Sequence, residues 1–277
     1  MRASVTLHCL LGTGLWLLGL AAALAQEPCS AQDAMPAQVK SINDRLELIL
    51  DDERRILLAG VEPPGSSPAH ADLVALARQR LQTLVQGHDI TLKLLVTAAD
   101  RWGRFPALAF ATSSDASAAP VALAQSLVAE GLVRVRIGQP NPCLARLLEA
   151  ETQARDSALP IWTHPDYALI LAGDHEAFAG REGSVVVVEG QVHQVTASGY
   201  RTYVNFGPNR FRDFSVTILK PNVKIFDKAG LSLQSLQGQR LRVRGLLDLR
   251  FGPQIEIADP TMIERLEPGL SEHEVVK

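Results

Sequence analysis

Hydrophobic residues recur with two different periods along the first half of the chain. Residues 39–50 alternate apolar and polar side chains, which predicts a half-buried strand, and residues 54–61 are expected to form the strand that returns. Further strands are predicted at 90–96, 105–111 and 133–137. Apolar side chains three or four positions apart predict helices at 72–86, 120–131 and 143–159. The first half therefore combines strands with three helices.

Beyond residue 182 the strand period dominates. Strands are predicted at 184–195, 200–206, 213–226, 239–251 and 254–257, with a short helix at 229–236. Three strands, a helix and two further strands are typical of a five-stranded OB-like barrel. Residues 164–182 are expected to connect two folded units, 26–163 and 183–267, and a charged tail follows at 268–277. The predicted fold class is mainly β with packed helices.

The first 25 residues have the character of a secretory signal. Arg2 precedes an apolar run at 10–24, and Ala23-Leu24-Ala25 is a small-residue cleavage site. The run is short for a membrane span, and no basic flank follows to stop transfer. We therefore expect a periplasmic or secreted protein with no membrane span after processing.

Cys29 and Cys143 are the cysteines that remain after removal of this signal. In an oxidising compartment a lone pair of cysteines usually forms a disulfide. The bond would tie the processed N-terminus to the turn that ends at Cys143. A catalytic thiol is the alternative, but no Cys–His pattern surrounds either residue.

The charge balance argues against general binding of polyanions. The chain has 27 basic and 30 acidic residues and a formal net charge of −3. A protein without an overall positive field has little attraction for nucleic acid as a bulk polyanion. Binding of nucleic acid would therefore depend on local basic patches.

Four short motifs follow one another between residues 38 and 162. They are Leu58-Ala59-Gly60-Val61-Glu62, Asp100-Arg101-Trp102-Gly103-Arg104, Gly131-Leu132-Val133, and Glu151 to Arg155 ahead of Ile161-Trp162. In this order and spacing they resemble the staphylococcal nuclease (thermonuclease) family. The resemblance implies an OB barrel with three packed helices and calcium-dependent hydrolysis of phosphodiesters in DNA or RNA.

The resemblance also implies roles for individual residues. Asp44 and Glu62 fall on carboxylate ligands of calcium, and Pro63 falls on a ligand that uses its backbone carbonyl. Arg104 falls on an arginine that binds the scissile phosphate. Calcium takes six to eight oxygen ligands, so these three residues would need water or substrate to complete a site. The cofactor is expected to be calcium or none.

Two positions lack the residue that the family has. Leu57 stands in place of a second arginine, and Gly65 in place of the glutamate that orients water. Loss of either function typically costs about 10²–10⁴ in rate, so loss of activity is favoured. Arg55 and His70 are the nearest candidates to replace the missing cation and base.

Several of these residues also have simpler structural roles. Asp44 suits a turn, Glu62 suits the cap of a loop, and Arg104 suits an ion pair with Asp100 or Glu151. Glu151 and Arg155 lie four positions apart on a predicted helix, which favours an ion pair on its surface.

Basic residues near aromatic ones are the candidates for binding nucleic acid. In the first unit these are Arg101 and Trp102. In the second unit Arg240, Arg242 and Arg244 alternate along one predicted strand, which predicts a basic stripe. Single-stranded nucleic acid binds where bases stack on rings and cations follow the phosphates. The alternative places the rings in the core and the arginines in water.

Three functions are therefore weighed. The leading interpretation is an exported thermonuclease-like protein that has lost catalysis and acts as a binding or scaffold protein, for which single-stranded nucleic acid and an envelope protein are the candidate partners. The second is a weak calcium-dependent nuclease outside the cytoplasm. The third is an interaction module for an envelope protein, and a salt titration separates it from a phosphate binder.

Overall fold

The computed structural model describes residues 29–112 and 119–266. The predicted signal at 1–25 and the tail at 268–277 lie outside the described residues and stay predictions. The described chain is mainly β, with 33% strand and 26% helix, which confirms the coarse fold class. Among the described helices, none has the length and hydrophobicity needed to span a bilayer.

The first unit consists of nine strands and four helices within the described residues. The strands are β1 (Met35–Ala37), β2 (Val39–Ile42), β3 (Leu48–Leu50), β4 (Arg55–Leu58), β5 (Val61–Glu62), β6 (Asp89–Leu94), β7 (Arg104–Thr112), β8 (Val121–Ala122) and β9 (Arg134–Val135). The helices are α1 (Ala71–Val85), α2 (Leu123–Ala129), α3 (Leu144–Asp156) and α4 (Pro160–Thr163). The sheet order is β1-β6-β7-β4-β3-β2 with β8 beside β7, and β5 pairs separately with β9.

The second unit consists of eight described strands and one described α-helix. They are β10 (Ile170–Leu171), β11 (Val185–Gln191), β12 (Gln194–Ser198), β13 (Arg201–Asn205), β14 (Ser215–Leu219), α5 (Lys220–Lys228), β15 (Arg240–Asp248), β16 (Gln254–Ile257) and β17 (Ile263–Leu266). Short 3-10 turns lie at Pro68–His70, Glu176–Phe178, Leu233–Leu236 and Pro260–Met262. The sheet order is β10-β11-β15-β16-β14-β13-β12, with β17 beside β15.

The two main sheets share one connectivity. From β1 the successive neighbours are β6, β7, β4, β3 and β2, and from β11 they are β15, β16, β14, β13 and β12. In both paths the third pairing is parallel, between β7 and β4 or between β16 and β14. In both, a helix, α1 or α5, lies in the chain between the fourth and fifth strands of the path, counted in sequence order.

Both sheets curl because of how their first strands are connected. β1 and β2 lie at opposite ends of the first sheet, yet Gln38 alone separates them in sequence. β11 and β12 are likewise separated by only Val192 and His193, although four other strands lie between them in the sheet order. Each sheet must bend until its ends approach, which produces a barrel-like fold.

Three predicted elements have different structures from those expected. Residues 39–50 form two strands, because the Asn43 side chain accepts the backbone N–H groups of Arg45 and Glu47, both at 3.0 Å, and holds a turn. The strand predicted at 213–226 ends at Leu219, since Pro221 favours the first turn of α5. The helix predicted at 229–236 is only a 3-10 turn.

The predicted connector at 164–182 also contributes a strand. β10 pairs in parallel with β11, with Ile170 opposite Val188. Within β11, Val186 and Val188 belong to the hydrophobic core of the second unit, whereas Val187 packs with Ile161 of α4. A strand with both faces buried has a continuous hydrophobic run, and β11 begins with four valines. It therefore joins the two units through packing.

The predicted disulfide is confirmed. Cys29 and Cys143 are bonded, and each is less than a tenth exposed. The bond links the start of the described chain to the residue before α3. It closes a loop with a sequence separation of 114 residues, which strongly reduces the entropy of the unfolded chain.

Removal of this bond is expected to destabilise the protein. The double variant Cys29→Ser with Cys143→Ser should lose about 2–5 kcal/mol of unfolding free energy. Urea denaturation of both proteins measures the loss. Thiol titration of the unfolded, unreduced parent protein, prepared from an oxidising compartment, serves as the control. Free Cys29 and Cys143 thiols there, or an unchanged denaturation midpoint, would contradict the assignment.

Candidate functional site

A buried leucine of strand β4 occupies the position at which the thermonuclease resemblance implies an arginine. Leu57 is 8% exposed and lies opposite Pro106 of β7. Arg55, the nearest candidate to replace the missing arginine, extends to Glu47, with 3.8 Å between its Nη1 and the carboxylate Oε2. Glu47 is 1% exposed. Arg55 therefore contributes to the neutralisation of a buried carboxylate, which sequence reasoning missed.

Arg104 is engaged by two carboxylates. Its Nη2 lies 2.8 Å from Asp100 Oδ2, and its Nη1 lies 3.4 Å from Glu47 Oε1. The same turn exposes the Trp102 ring, with the Arg101 guanidinium 3.9 Å from the ring centroid. Arg101 and Trp102 thus form an exposed cation–π pair, whereas Arg104 is an ion-pair residue of the fold.

The two predicted calcium carboxylates have different arginine partners. Asp44 lies 2.5 Å from Arg78 Nη1, and Glu62 lies 2.9 Å from Arg134 Nη2. Asp44 lines a cleft of about 300 Å³, and Glu62 lines another of about 450 Å³ with no lining residue in common. Pro63 follows Glu62 directly and lines neither cleft. Each carboxylate is therefore already balanced by a cation.

Two rings occupy the space beside Gly65. A methyl group on Gly65 would lie 3.0 Å from His70 Nδ1 and 3.3 Å from Tyr167 Oη. The Gly65 N–H donates to Tyr167 Oη at 2.6 Å. A glutamate here would require these rings to move, so a small residue is needed. His70 does lie at this position, but its Nε2 contacts Asp166 Oδ2 at 2.8 Å.

Arg134 connects the Glu62 loop to the second unit. It is 2% exposed, and its Nη2 donates to Glu62 and to the backbone oxygen of Val185, both at 2.9 Å. Its guanidinium also lies 4.9 Å from the Tyr167 ring centroid. Burial lowers the pKa of Arg134, and the attraction of Glu62 opposes this shift. Glu62 therefore stabilises a buried charge between the units.

A second buried ion pair crosses the same interface. Glu151 of α3 is bound by Arg244 of β15, and both side chains are almost fully buried. Arg244 Nη1 also donates to the Val135 oxygen at 3.0 Å, and the Val135 N–H donates to Glu151 Oε1 at 2.6 Å. The predicted surface pair of Glu151 with Arg155 is wrong, because Arg155 instead lies 3.7 Å from Asp156.

The three alternating arginines of β15 do not form an open stripe. Arg242 and Arg244 are 7% and 3% exposed. Arg242 lies between Glu189 at 3.1 Å and Glu264 at 3.2 Å, which are its cross-strand neighbours on β11 and β17. Arg240 is exposed, contacts Glu189 at 2.6 Å, and lines a cleft of about 610 Å³. The strand face predicted to meet solvent is largely covered.

A different basic and aromatic cluster is exposed on the second unit. We name it the aromatic–arginine surface, and its members line a cleft of about 230 Å³: Arg201, Tyr203, Arg210, Phe211 and Phe251. Phe211 and Phe251 are 63% and 69% exposed. The Arg210 guanidinium lies 5.3 Å from the Tyr203 ring centroid and 4.9 Å from that of Phe211. In the described part of the chain, Arg210 makes no ion pair.

Asp213 holds the loop that carries Arg210 and Phe211. Its Oδ2 accepts the Asn209 N–H at 2.8 Å, and its Oδ1 lies 2.8 Å from His175 Nε2. The backbone hydrogen bond from Asn209 and then the contact with His175 lower the pKa of Asp213. The Asp213 carboxylate, whose ionised form these contacts stabilise, therefore fixes the loop of the aromatic–arginine surface.

Loss of the interface pair is expected to be costly. Arg244→Ala should reduce the unfolding free energy by about 3–5 kcal/mol, because it leaves the Glu151 carboxylate buried without a cation. Arg54→Ala is the matched control, since Arg54 pairs with Asp52 at an exposed position and should cost at most about 1 kcal/mol. Chemical denaturation measures both losses. Equal effects of the two variants would contradict the role of the pair.

Acid is expected to weaken the loop held by Asp213. A lowered pKa means that the carboxylate stabilises the fold fully above its ordinary pKa of 3.8, and that this contribution is lost as the pH falls below that value. The stability difference between the parent protein and Asp213→Asn should therefore shrink between about pH 5 and pH 2. Thermal unfolding across this range measures it, and a constant difference would contradict the assignment.

Comparison with known proteins adds no identification. No family model matches the chain, and no curated protein is similar to it at a significant level. The resemblance to the thermonuclease family therefore rests on the four motifs alone, and function is inferred from the geometry of the sites described above.

Proposed function

We propose that the protein is an exported, non-catalytic binding protein that holds single-stranded nucleic acid on the aromatic–arginine surface. The observation that carries this proposal is the pair of exposed rings, Phe211 and Phe251, in one cleft with Arg201 and Arg210. Exposed rings of this size bring no benefit to the core, and each base of a single strand has a face that can stack on them.

The chemistry of the cleft suits a flexible strand better than a duplex. Base stacking on an aromatic side chain contributes about 1–3 kcal/mol per base, and it requires bases that are not already stacked in a helix. Arg210 lies over two rings and has no acidic partner among the described residues, so its charge is available to phosphate. Together these groups supply stacking and charge at one place.

The strand pairing supports an OB-like interpretation of the second unit. Such barrels bind oligonucleotides on the face of their second and third strands, beside the loops between strands one and two and between strands four and five. If β11 and β12 together are counted as the first strand of the barrel, β13 is the second strand. Arg201 and Tyr203 belong to β13, Tyr200 lies in the turn before it, and Phe251 lies in the turn between β15 and β16.

The first unit is proposed as a thermonuclease-like scaffold without hydrolytic activity. The two positions at which the family has a cation and a base hold Leu57 and Gly65. Arg104 is bound by acids, and Asp44 and Glu62 are each paired with an arginine. Phosphoryl transfer requires positive charge on the developing oxyanion and a group that positions water. We assign no calcium chemistry to this arrangement.

The predicted binding test uses a labelled single strand of twelve deoxynucleotides. Phe211→Ala and Phe251→Ala should each weaken binding by about 5–150-fold, which corresponds to the loss of one stacked base. Leu246→Ala is the matched control, because Leu246 is an exposed apolar residue of the same unit outside this cleft. Fluorescence anisotropy measures the affinities. Absence of binding, or equal affinities for all variants, would contradict the proposal.

The salt dependence of the same titration reports on the arginines. Contacts from Arg201 and Arg210 to phosphate should give a slope of log affinity against log salt of about −1.4 for a single strand. Arg210→Gln should reduce the magnitude of that slope by roughly 0.7. A slope near zero would favour a neutral partner such as an envelope protein over nucleic acid.

Hydrolysis is tested separately. Single-stranded DNA incubated with the purified protein and millimolar calcium should stay intact, as judged by denaturing electrophoresis. Arg104→Ala provides the control for contaminating nucleases, since it removes the retained phosphate-binding residue of the resemblance. Calcium-dependent cleavage that disappears in Arg104→Ala would overturn the non-catalytic assignment.

A further inference from the structure

Three potential metal ligands converge between the Gly65 loop and the predicted connector. His70 ends the 3-10 turn before α1, and His164 and Asp166 follow α4. One ligand atom from each residue lies within 4.8 Å of the other two. Nearly a hundred residues separate the two segments, so tertiary folding alone creates the cluster. None of these residues belongs to the aromatic–arginine surface or to the predicted calcium set.

The arrangement of the three side chains leaves one edge accessible. His70 Nε2 lies 2.8 Å from Asp166 Oδ2, and the His164 ring stands edge-on to His70 with 5.1 Å between centroids. The side chain of His70 is 13% exposed, whereas that of Asp166 is 54% exposed. An ion can therefore reach the carboxylate from solvent while one imidazole is held inside.

The Nδ1 atom of His70, the ring nitrogen that does not contact Asp166, lies beside two hydroxyl oxygens of the kind that orient a metal-bound histidine. Nδ1 lies 3.0 Å from Ser67 Oγ and 3.1 Å from Tyr167 Oη. A metal-bound histidine usually donates its other N–H to such an oxygen, which fixes the ring and its tautomer. Tyr167 is held in turn by the Gly65 N–H. This support directs the Nε2 side of the ring toward Asp166.

The backbone of the other segment is also fixed. Arg181 Nη2 donates to the backbone carbonyl oxygen of Asp166 at 2.7 Å, and its Nη1 donates to the backbone carbonyl oxygen of Ala168 at 3.1 Å. The Tyr167 N–H donates to the His164 oxygen at 3.0 Å. Because Arg181 is buried, these bonds hold the ligand-bearing turn against the second unit.

We propose that His70, His164 and Asp166 bind one divalent transition-metal ion, for which Zn²⁺ is the probe. Two imidazoles and one carboxylate are ligands that zinc accepts in tetrahedral geometry, with a fourth position for water. Calcium is disfavoured, since it prefers six to eight oxygens. This proposal does not depend on the binding of nucleic acid.

Binding exchanges the proton between His70 and Asp166 for the metal ion. The ion takes the Nε2 lone pair and a carboxylate oxygen, and the proton that joined these atoms is released to solvent. His164 must also give up the contact in which its Nδ1 accepts the Asp166 N–H at 3.2 Å. This contact is long for a hydrogen bond, so little is lost with it.

The experiment uses the untagged full chain, because a histidine tag would bind the same ions. Titration with Zn²⁺ in a calorimeter should give one site per chain, and Co²⁺ should give the visible absorption bands of a tetrahedral site. His164→Ala and Asp166→Asn should each weaken binding by more than about 100-fold, beyond the loss typical of an outer-shell partner. Ca²⁺ should not compete.

His88→Ala is the matched control, because His88 is exposed in the same unit and outside the cluster. Its zinc affinity should equal that of the parent protein. Thermal unfolding of every variant without metal checks that each is folded. His164 and Asp166 are chosen for substitution because they are more exposed than Tyr167. Absence of stoichiometric binding, or binding that survives both ligand substitutions, would overturn the proposal and leave a hydrogen-bonded cluster.

Discussion

The buried ion pair of Glu151 with Arg244 determines how the two units are joined. Removal of two charges from water is costly, and only close pairing with further hydrogen bonds compensates for it. Here the backbone of Val135 supplies these bonds to both partners. The nearby pair of Glu62 with Arg134 repeats this solution. Because a lone charge at this interface would be strongly unfavourable, the units are held in one arrangement.

This interface explains why charged residues that resemble a catalytic or binding set are used structurally. Glu62 is the last residue of β5, at a strand end where ligand-binding residues often lie, yet it neutralises an arginine that reaches the second unit. Arg242 lies between two glutamates on adjacent strands. The shared connectivity of the two sheets gives each unit a comparable curled sheet, and the contact between the units buries Arg134, Glu151 and Arg244.

The surfaces that stay exposed have different chemistry in the two units. On the second unit Phe211 and Phe251 lie within turns, where they add little to the core and expose their rings. Between the units, His70 and Asp166 combine an imidazole held by neighbours with an accessible carboxylate. The proposed nucleic-acid surface and the proposed metal site are thus separate, and each is testable without the other.

Local pattern predicted most of the strands and the principal helices of the first unit, because periodicity acts through neighbouring residues. The pairing of Cys29 with Cys143 followed from the presence of two cysteines beyond the predicted signal. The sequence also placed Leu57 and Gly65 at the positions where the resemblance implies charged residues. Only the tertiary structure decided which charged residues are buried. The alternation of arginines on β15 is the same whether that face meets water or buried glutamates, and Glu151, the partner of Arg244, lies 93 residues away in the sequence. Sequence spacing contains no information about such contacts.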